Sequence, residues 1–421
     1  MPNPQDNCRS QPLASIRGMN DHLFEEDALF RLMVDKIYKT CSRYGFRSVS
    51  TPMLEKVEVF TKPLGETSDV VGKEMYVFED RGGDTLALRP EGTASIVRAF
   101  IEHKLFDNLP FKAMYSGPMF RYERPQKGRF RQLHQIGIES IGYADYWSDV
   151  ECISAAYASL QSIGVAGHVQ LEINTLGDSE SRAAYRQALV AFFQKHADQL
   201  SAVSQKRLEI NPLRILDSKE EQDKALFPDA PKMRDYLTES ASAFFENVLL
   251  GLKSLGISYV INDRLVRGLD YYVHTVFEFT TTDLGAQGTV LAGGRYDGMV
   301  TMMGGPQMPA FGWAAGLERL SMLTNIKPEA QLAVAIIPIG DEAAEPAFKL
   351  ADMWRKFGVC AEVMRGNAVG KMLGKADKLG AAYVALLGSE EIANNTVTVK
   401  NLATGAQQSI SPQKITDLLK A

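Results

Sequence analysis

Apolar residues at Phe24, Ala28, Leu32, Ile37 and Tyr38 recur at helical spacing and predict a helix over 23–44, closed by Gly45. Residues 46–52 then read as a short strand stopped by Pro52. The stretch 59–72, carrying Pro63, Gly65 and Gly72, reads as loop-rich. Apolar runs at 75–79 and 85–89 flank Asp80-Arg81-Gly82-Gly83-Asp84, a hairpin signal, and 93–104 is helical. Residues 113–120 and 131–141 have strand character and enclose a basic stretch punctuated by Pro125 and Gly128. That pattern predicts two antiparallel strands joined by a basic loop.

Beyond it, the pattern predicts a helix over 149–164 and a strand over 169–174. The segment 179–255 is polar and helix-rich, broken at Pro212, Pro228 and Pro231, and reads as an inserted helical unit. Strand patterning returns at 259–261 and 271–282, and a Gly/Ala-rich helix is expected over 314–324. Past Pro328, strands at 332–339, 361–364, 382–387 and 396–400 alternate with helices at 347–357, 372–380 and 415–419. Alternation of this kind predicts a small α/β domain. The expected layout is 1–178 and 259–326 as two parts of one core, 179–258 inserted between them, and 331–421 as the C-terminal domain.

At 421 residues with 45% hydrophobic and 23% charged content, the chain fits two or three globular domains. A net charge of −5 argues against indiscriminate coating of nucleic acid, which needs a broad basic surface, but leaves room for a local basic site. Cys8, Cys41, Cys152 and Cys360 form no CxxC pair, and the six histidines form no HxxxH or HExxH. Reduced thiols in a cytoplasmic protein, and no metal held by protein ligands alone, are the expectation. No apolar run is long enough for a membrane span.

Candidate chemistry concentrates around 121–131, RYERPQKGRFR, with five cations and one carboxylate in eleven residues. Strand alternation puts Arg121 and Glu123 on one face, and Gln135, Gly137 and Glu139 on one face of the returning strand. Such a face suits a small polar ligand; a solvated hairpin is the plainer alternative. In Arg89-Pro90-Glu91-Gly92-Thr93, a carboxylate and a hydroxyl sit at a strand-to-helix turn, which could also be a helix start with Thr93 as cap. LVRGLDYY (265–272) could be a packed strand, and Arg267 and Tyr272 can share a pocket only if Gly268 kinks or bulges it. AGGRYDG (292–298) either lets the backbone approach a ligand or turns, and GWAAGLERL (312–320) is a small-residue strand-to-helix step. GNAVGKM (366–372) is one residue short of a P-loop and reads as a structural joint, so ATP would rest on arginines instead.

Taken together and in this order, these strings resemble the class II aminoacyl-tRNA synthetases, specifically the histidyl-tRNA synthetases, from Ile16-Arg17-Gly18-Met19 to the C-terminal unit. Motif 1 resembles the segment reaching Pro52, motif 2 residues 120–139 and motif 3 residues 312–320; LVRGLDYY and AGGRYDG are similar to the two histidine signatures. The resemblance implies an α+β catalytic domain with an antiparallel sheet flanked by helices, a helical insertion against the tRNA acceptor arm, a C-terminal anticodon-binding α/β domain, and a homodimer. It implies ATP with Mg2+, L-histidine and tRNA(His) as substrates and partners. By matching position, Arg121 would contact the α-phosphate and the histidine carboxylate, with Arg267 the catalytic arginine beside it. Glu123, Arg129 and Arg319 would hold ATP. Glu91, Thr93 and Gln135 would hold the ammonium group, and Glu139, Tyr271, Tyr272 and Tyr296 would surround the imidazole. Arg124, Gln126 and Lys127 would meet the acceptor end. Leu133 stands where many relatives stack an aromatic on adenine. A regulatory subunit of ATP phosphoribosyltransferase shares the catalytic-domain ancestry, but resembles a synthetase without the anticodon domain and several arginines.

Overall fold

The computed structural model describes residues 13–65, 68, 70–266, 271–285, 288–328, 332–366 and 368–420. It divides into two compact units, Met1–Ile326 and Lys327–Ala421.

In the first unit the chain runs α1 (Glu25–Ser42), β1 (Arg47–Ser48), β2 (Leu54–Lys56), α2 (Glu58–Leu64), β3 (Tyr76–Glu79), β4 (Thr85–Leu88), α3 (Thr93–Glu102), β5 (Phe111–Phe120) and β6 (Gln132–Ile141). It continues through α4 (Tyr146–Ser162), β7 (Gln170–Thr175), α5 (Ser179–Lys195), α6 (Ala202–Ile210), α7 (Glu221–Lys224) and α8 (Glu239–Ser254). It ends with β8 (Val260–Ile261), β9 (Val273–Thr280), β10 (Thr289–Arg295), α9 (Met299–Met302), β11 (Ala310–Gly316) and α10 (Leu317–Ser321). Eight strands form one sheet in the order β1-β5-β6-β11-β10-β9-β7-β8. Its interior pairings are antiparallel, and the two-residue edge strands β1 and β8 run parallel to their neighbours.

Alternation along these strands sorts the two faces. Ile136, Ile138, Phe311 and Trp313 point into a core built with Phe30, Met33 and Ile37 of α1, Val150 and Ile153 of α4, and Phe245 and Val248 of α8. On the opposite face Ala113, Tyr115, Met119 and Val276 pack with Phe60 of α2, Val97 and Phe100 of α3, and Tyr271, Tyr272 and Tyr296. The second face is where the polar residues of β6 emerge.

The expected inserted segment holds two kinds of contact. Tyr185, Leu189 and Phe193 of α5 form a separate small core with Leu200, Ile215, Phe227 and Met233. Buried Asp223 ties it together, accepting from the Ser201 amide at 2.8 Å and from the hydroxyls of Ser201, Ser204 and Ser218 at 2.8, 2.6 and 2.5 Å. Helix α8, by contrast, packs on α4 in the main core.

Two local readings are corrected. The stretch 59–72, expected as loop, opens with helix α2, because Phe60, Pro63 and Leu64 recur at helical spacing and are fully or nearly buried. Pro63 lies inside this helix, one residue before its end, and forgoes the N–H bond to the Val59 carbonyl. Ala314 to Gly316, expected as helix, complete β11 instead. Small residues have weak strand preference, but this segment pairs with β6 on one side and β10 on the other, and those ladders hold it extended.

The second unit holds β12 (Val334–Pro338), α11 (Ala344–Lys356), β13 (Ala361–Val363), α12 (Val369–Lys378), β14 (Tyr383–Leu387), α13 (Ser389–Ala393), β15 (Val397–Asn401), β16 (Gln407–Ile410) and α14 (Ile415–Lys420). Its sheet runs β13-β12-β14-β15-β16, parallel across β13, β12 and β14 and antiparallel beyond. Strand β16 and helix α13 escaped the sequence reading: Gln-Gln-Ser-Ile is mostly exposed and polar, and is drawn into the sheet by its partner β15. Among the described residues, no helix is long and apolar enough to cross a membrane.

Candidate active site

Strands β5 and β6 pair from Phe111↔Ile141 to Phe120↔Gln132, and the Arg121 amide donates to the Arg131 carbonyl at 2.8 Å to extend the ladder. A tighter turn follows, in which Gln126 and Arg129 exchange backbone hydrogen bonds around Lys127 and Gly128, the latter at φ 73°. Arg124, Gln126 and Lys127 are exposed on this loop. Arg131 lies with its guanidinium 3.9 Å from the centre of the Tyr122 ring.

A single cleft on the α3 side of the sheet gathers Glu91, Thr93, Arg121, Glu123, Arg129, Leu133, Gln135, Glu139, Tyr271, Tyr272, Tyr296 and Arg319. They come from six separate stretches of chain. Arg267 lies outside the described residues.

One end of the cleft is cationic. Arg121 is anchored by its Nε donating to the Pro90 carbonyl at 2.8 Å. Arg129 pairs with Glu123 at 3.2 Å. Arg319 donates from Nε to Gly128 O at 3.1 Å and from Nη1 to Thr289 O at 2.6 Å, which ties α10 to the basic loop and to β10. Burial first, then Arg129 and Arg121 close by, lower the Arg319 pKa. A partly buried guanidinium with two others beside it forms a site that an anion would relieve.

The other end is a buried carboxyl. Glu139 on β6 is wholly inaccessible. Its Oε1 accepts from Thr93 Oγ1 at 2.6 Å and from the Tyr115 hydroxyl at 3.3 Å, and its Oε2 accepts from the Tyr296 hydroxyl. Burial pushes the Glu139 pKa up to about 8. Glu91 is likewise buried and raised by desolvation, while its carboxylate accepts from the amides of Thr93 at 2.7 Å and Ala94 at 2.8 Å. Glu91 therefore caps α3, and Thr93, the residue expected to cap, spends its hydroxyl on Glu139. Between the two ends, Gln135 Oε1 is buried without a hydrogen-bond partner, an acceptor facing the cleft that a ligand donor would satisfy.

Small residues make the room. A Cβ at Gly312 would collide with the Glu139 carboxylate, and one at Gly137 would come within 2.7 Å of Tyr115 Oη. The strand partner of Gly137 is Tyr115 itself. This pairing of glycine with an aromatic is the signal that could have revealed Tyr115, which the sequence reading passed over. AGGRYDG divides its work. Arg295 forms a buried ion pair with Asp149 of α4 under the sheet, while Tyr296 turns to the cleft. His22, His134 and Glu318, scattered in sequence, each bring one ligand atom within 4.8 Å of the others. Glu318 Oε1 already accepts from the His134 amide at 2.7 Å and meets its ring Nδ1 at 2.9 Å, and His22 Nδ1 lies 3.2 Å from Glu26. The cluster is a joint between the N-terminal segment, β6 and α10.

A cationic end, a buried carboxyl end and an antiparallel sheet beneath them match one family. The profile described as "Histidyl-tRNA synthetase" covers residues 18–320. The chain belongs to the histidyl-tRNA synthetase family. The profile described as "Anticodon binding domain" covers residues 333–421. The "Histidine--tRNA ligase" of Gluconobacter oxydans is 49% identical over 405 residues, 96% of this chain and 98% of that protein. Among solved structures, the apo histidyl-tRNA synthetase of S. aureus superposes with a TM-score of 0.81 at 33% identity, covering 97% of this chain and 100% of the other. A Bacillus halodurans protein described as an ATP phosphoribosyltransferase regulatory subunit/histidyl-tRNA synthetase has a TM-score of 0.63 at 22% identity over 88% of this chain and 97% of its own, a likeness of fold alone.

Proposed function

We propose that this chain attaches L-histidine to tRNA(His) at the expense of ATP, through a histidyl-adenylate. The observation that carries this reading is the cleft's polarity: a fully buried Glu139 at one end and the Arg121, Arg129 and Arg319 guanidiniums at the other. A ligand with a heterocycle carrying hydrogen-bond donors at one end and an anionic group at the other fits it.

In the first step the histidine carboxylate attacks the α-phosphorus of ATP, and the bond to the bridging oxygen breaks to release pyrophosphate. That carboxylate is ionised at neutral pH, so no protein base is needed. Alignment and stabilisation of charge growing on the phosphoryl oxygens are needed. Arg121, fixed by Pro90, supplies both, and Arg267 is assigned the same task from its matching position. Arg129 and Arg319 hold the outer phosphates and adenine, with Glu123 orienting Arg129. Magnesium enters with ATP as part of the substrate. The carboxylates on the wall already serve protein donors, Glu91 the α3 amides and Glu123 Arg129, so it would draw its ligands chiefly from phosphate and water. Glu91, Thr93 and Gln135 take the ammonium group, and Glu139, Tyr271, Tyr272 and Tyr296 enclose the imidazole.

In the second step the terminal ribose hydroxyl of the tRNA takes the histidyl group and AMP departs. Arg124, Gln126 and Lys127, all exposed, meet the acceptor end, and the anticodon-binding domain over 333–421 meets the anticodon. A cytoplasmic homodimer is the expected form. Charging of radiolabelled histidine onto total tRNA, with histidine-dependent exchange of pyrophosphate into ATP, tests the proposal. Exchange with no charging would point to a ligase without an RNA partner, and neither activity to a regulatory protein.

A further inference from the structure

Strands β9 and β10 pair regularly from Leu291↔Phe279 to Gly294↔Val276, and then slip. The next pair is Arg295↔Val273, so two extra residues, His274 and Thr275, sit on β9 where β10 spends none. His274 stands at φ 48°, the left-handed region that costs a β-substituted residue strain. Both of its backbone groups are engaged, its amide donating to Gly177 O at 2.9 Å and its carbonyl accepting from the Leu176 amide at 2.7 Å. The distortion is therefore held by the sheet's neighbouring chain.

Its consequence is directional. Val276 belongs to the cleft-side core with Tyr271, Tyr272 and Tyr296, whereas Phe277 and Phe279 pack on the other face. Unbroken alternation would carry His274, two residues before Val276, onto the cleft side. Instead its ring lies 5.1 Å from that of Phe244 on α8, among the helices of the opposite face. The bulge turns the protein's own imidazole away from the cleft and delivers Tyr271 and Tyr272 there, their rings 4.6 Å apart. The bulge expected at Gly268, between Arg267 and Tyr272, is a separate one and lies outside the described residues.

We propose that His274 is a positioning residue for amino-acid recognition: its left-handed backbone sets the bulge that aims Tyr271 and Tyr272 at the amino-acid end of the cleft. This rests on the histidine-activating reading above. The test compares His274→Gly and His274→Asn, which accept a positive φ, with His274→Val, which resists it. In pyrophosphate exchange the Gly and Asn variants are expected to keep the histidine KM within about twofold of the parent. The Val variant is expected to raise it about tenfold or more, with the ATP KM moved less than about threefold. A Val variant with the parent's histidine KM, or a Gly variant impaired as much as Val, overturns the assignment. Should the Val variant not fold, His274→Ala replaces it, and equal histidine KM for Ala and Gly is the overturning result. Amide hydrogen exchange at Leu176 and His274 needs no substrate. Protection kept in Gly and lost in Val supports the bulge even if the parent activates another amino acid, in which case only the functional reading falls; equal protection in both overturns it.

Discussion

The hydroxyl of Thr93 donates to Oε1 of Glu139 at 2.6 Å, joining the first turn of α3 to the middle of strand β6. With Tyr115 and Tyr296 it surrounds a carboxyl that has no water contact, so the group's proton affinity is set by burial and by these hydroxyls.

Glu139→Gln is expected to lower kcat/KM for histidine about a hundredfold or more and to leave ATP binding nearly intact, since one carboxyl oxygen becomes an NH2 donor and the group can no longer ionise. Equal loss toward both substrates would refute the role. The same variant has a stability signature. Burial raises Glu139 from 4.5 to about 8, so the ligand-free fold holds this proton more tightly than the unfolded chain does. The resulting stabilisation is full below about 4.5 and is lost as pH rises through about 8. Denaturant titrations should therefore show Glu139→Gln gaining on the parent between pH 5 and pH 8, and a constant difference would count against it.

Gly312→Ala should act at a distance of one side chain. The added methyl has no space beside the Glu139 carboxylate, so either that group or strand β11 moves. Histidine KM is expected to rise about tenfold to a hundredfold, measured by pyrophosphate exchange. An unchanged value would mean that the carboxyl can shift freely.

Arg121→Lys keeps the charge but loses the Nε tether to Pro90. Single-turnover adenylate formation should slow by about a hundredfold or more, the scale for removing an oriented donor from a transition state. Full activity in the lysine variant would reduce the role of Arg121 to charge alone.

Leu133 lines the cleft without a ring to offer. Leu133→Phe is expected to lower the ATP KM roughly fivefold, the direction of base stacking, with histidine KM steady. A higher ATP KM would show that the space is filled by packing.

Asp149→Asn leaves the Arg295 guanidinium, with 1% of its side chain exposed, with only Asp297, at 3.2 Å, as a charge partner. Denaturation should report a loss of about 3–5 kcal/mol. A loss below about 1 kcal/mol would mean that Asp297 and the carbonyls of Tyr143 and Asp145, which also accept from Arg295, are sufficient.

Much of this protein was readable from local order. The Asp80 turn, with its carboxylate accepting from Gly82 and Asp84 amides at 2.8 and 3.0 Å, depends on residues four apart. The β5–β6 hairpin and the alternation that puts Gln135 and Glu139 on one face depend on a pattern along a single stretch. So do most helices, whose apolar spacing is local, and the motif strings that carry the family likeness. Tertiary packing decided the rest. Residues 314–316 became strand because β6 and β10 supply ladder partners to them, and 58–64 became helix because Phe60 and Leu64 found a core. Tyr115 joined Glu139 through its strand partner, and Arg295 went beneath the sheet to Asp149, 146 residues away. The division follows from range. Turn chemistry and periodicity act between near neighbours and are written in the chain, whereas the space and charge that a side chain meets come from segments brought together only when the sheet closes.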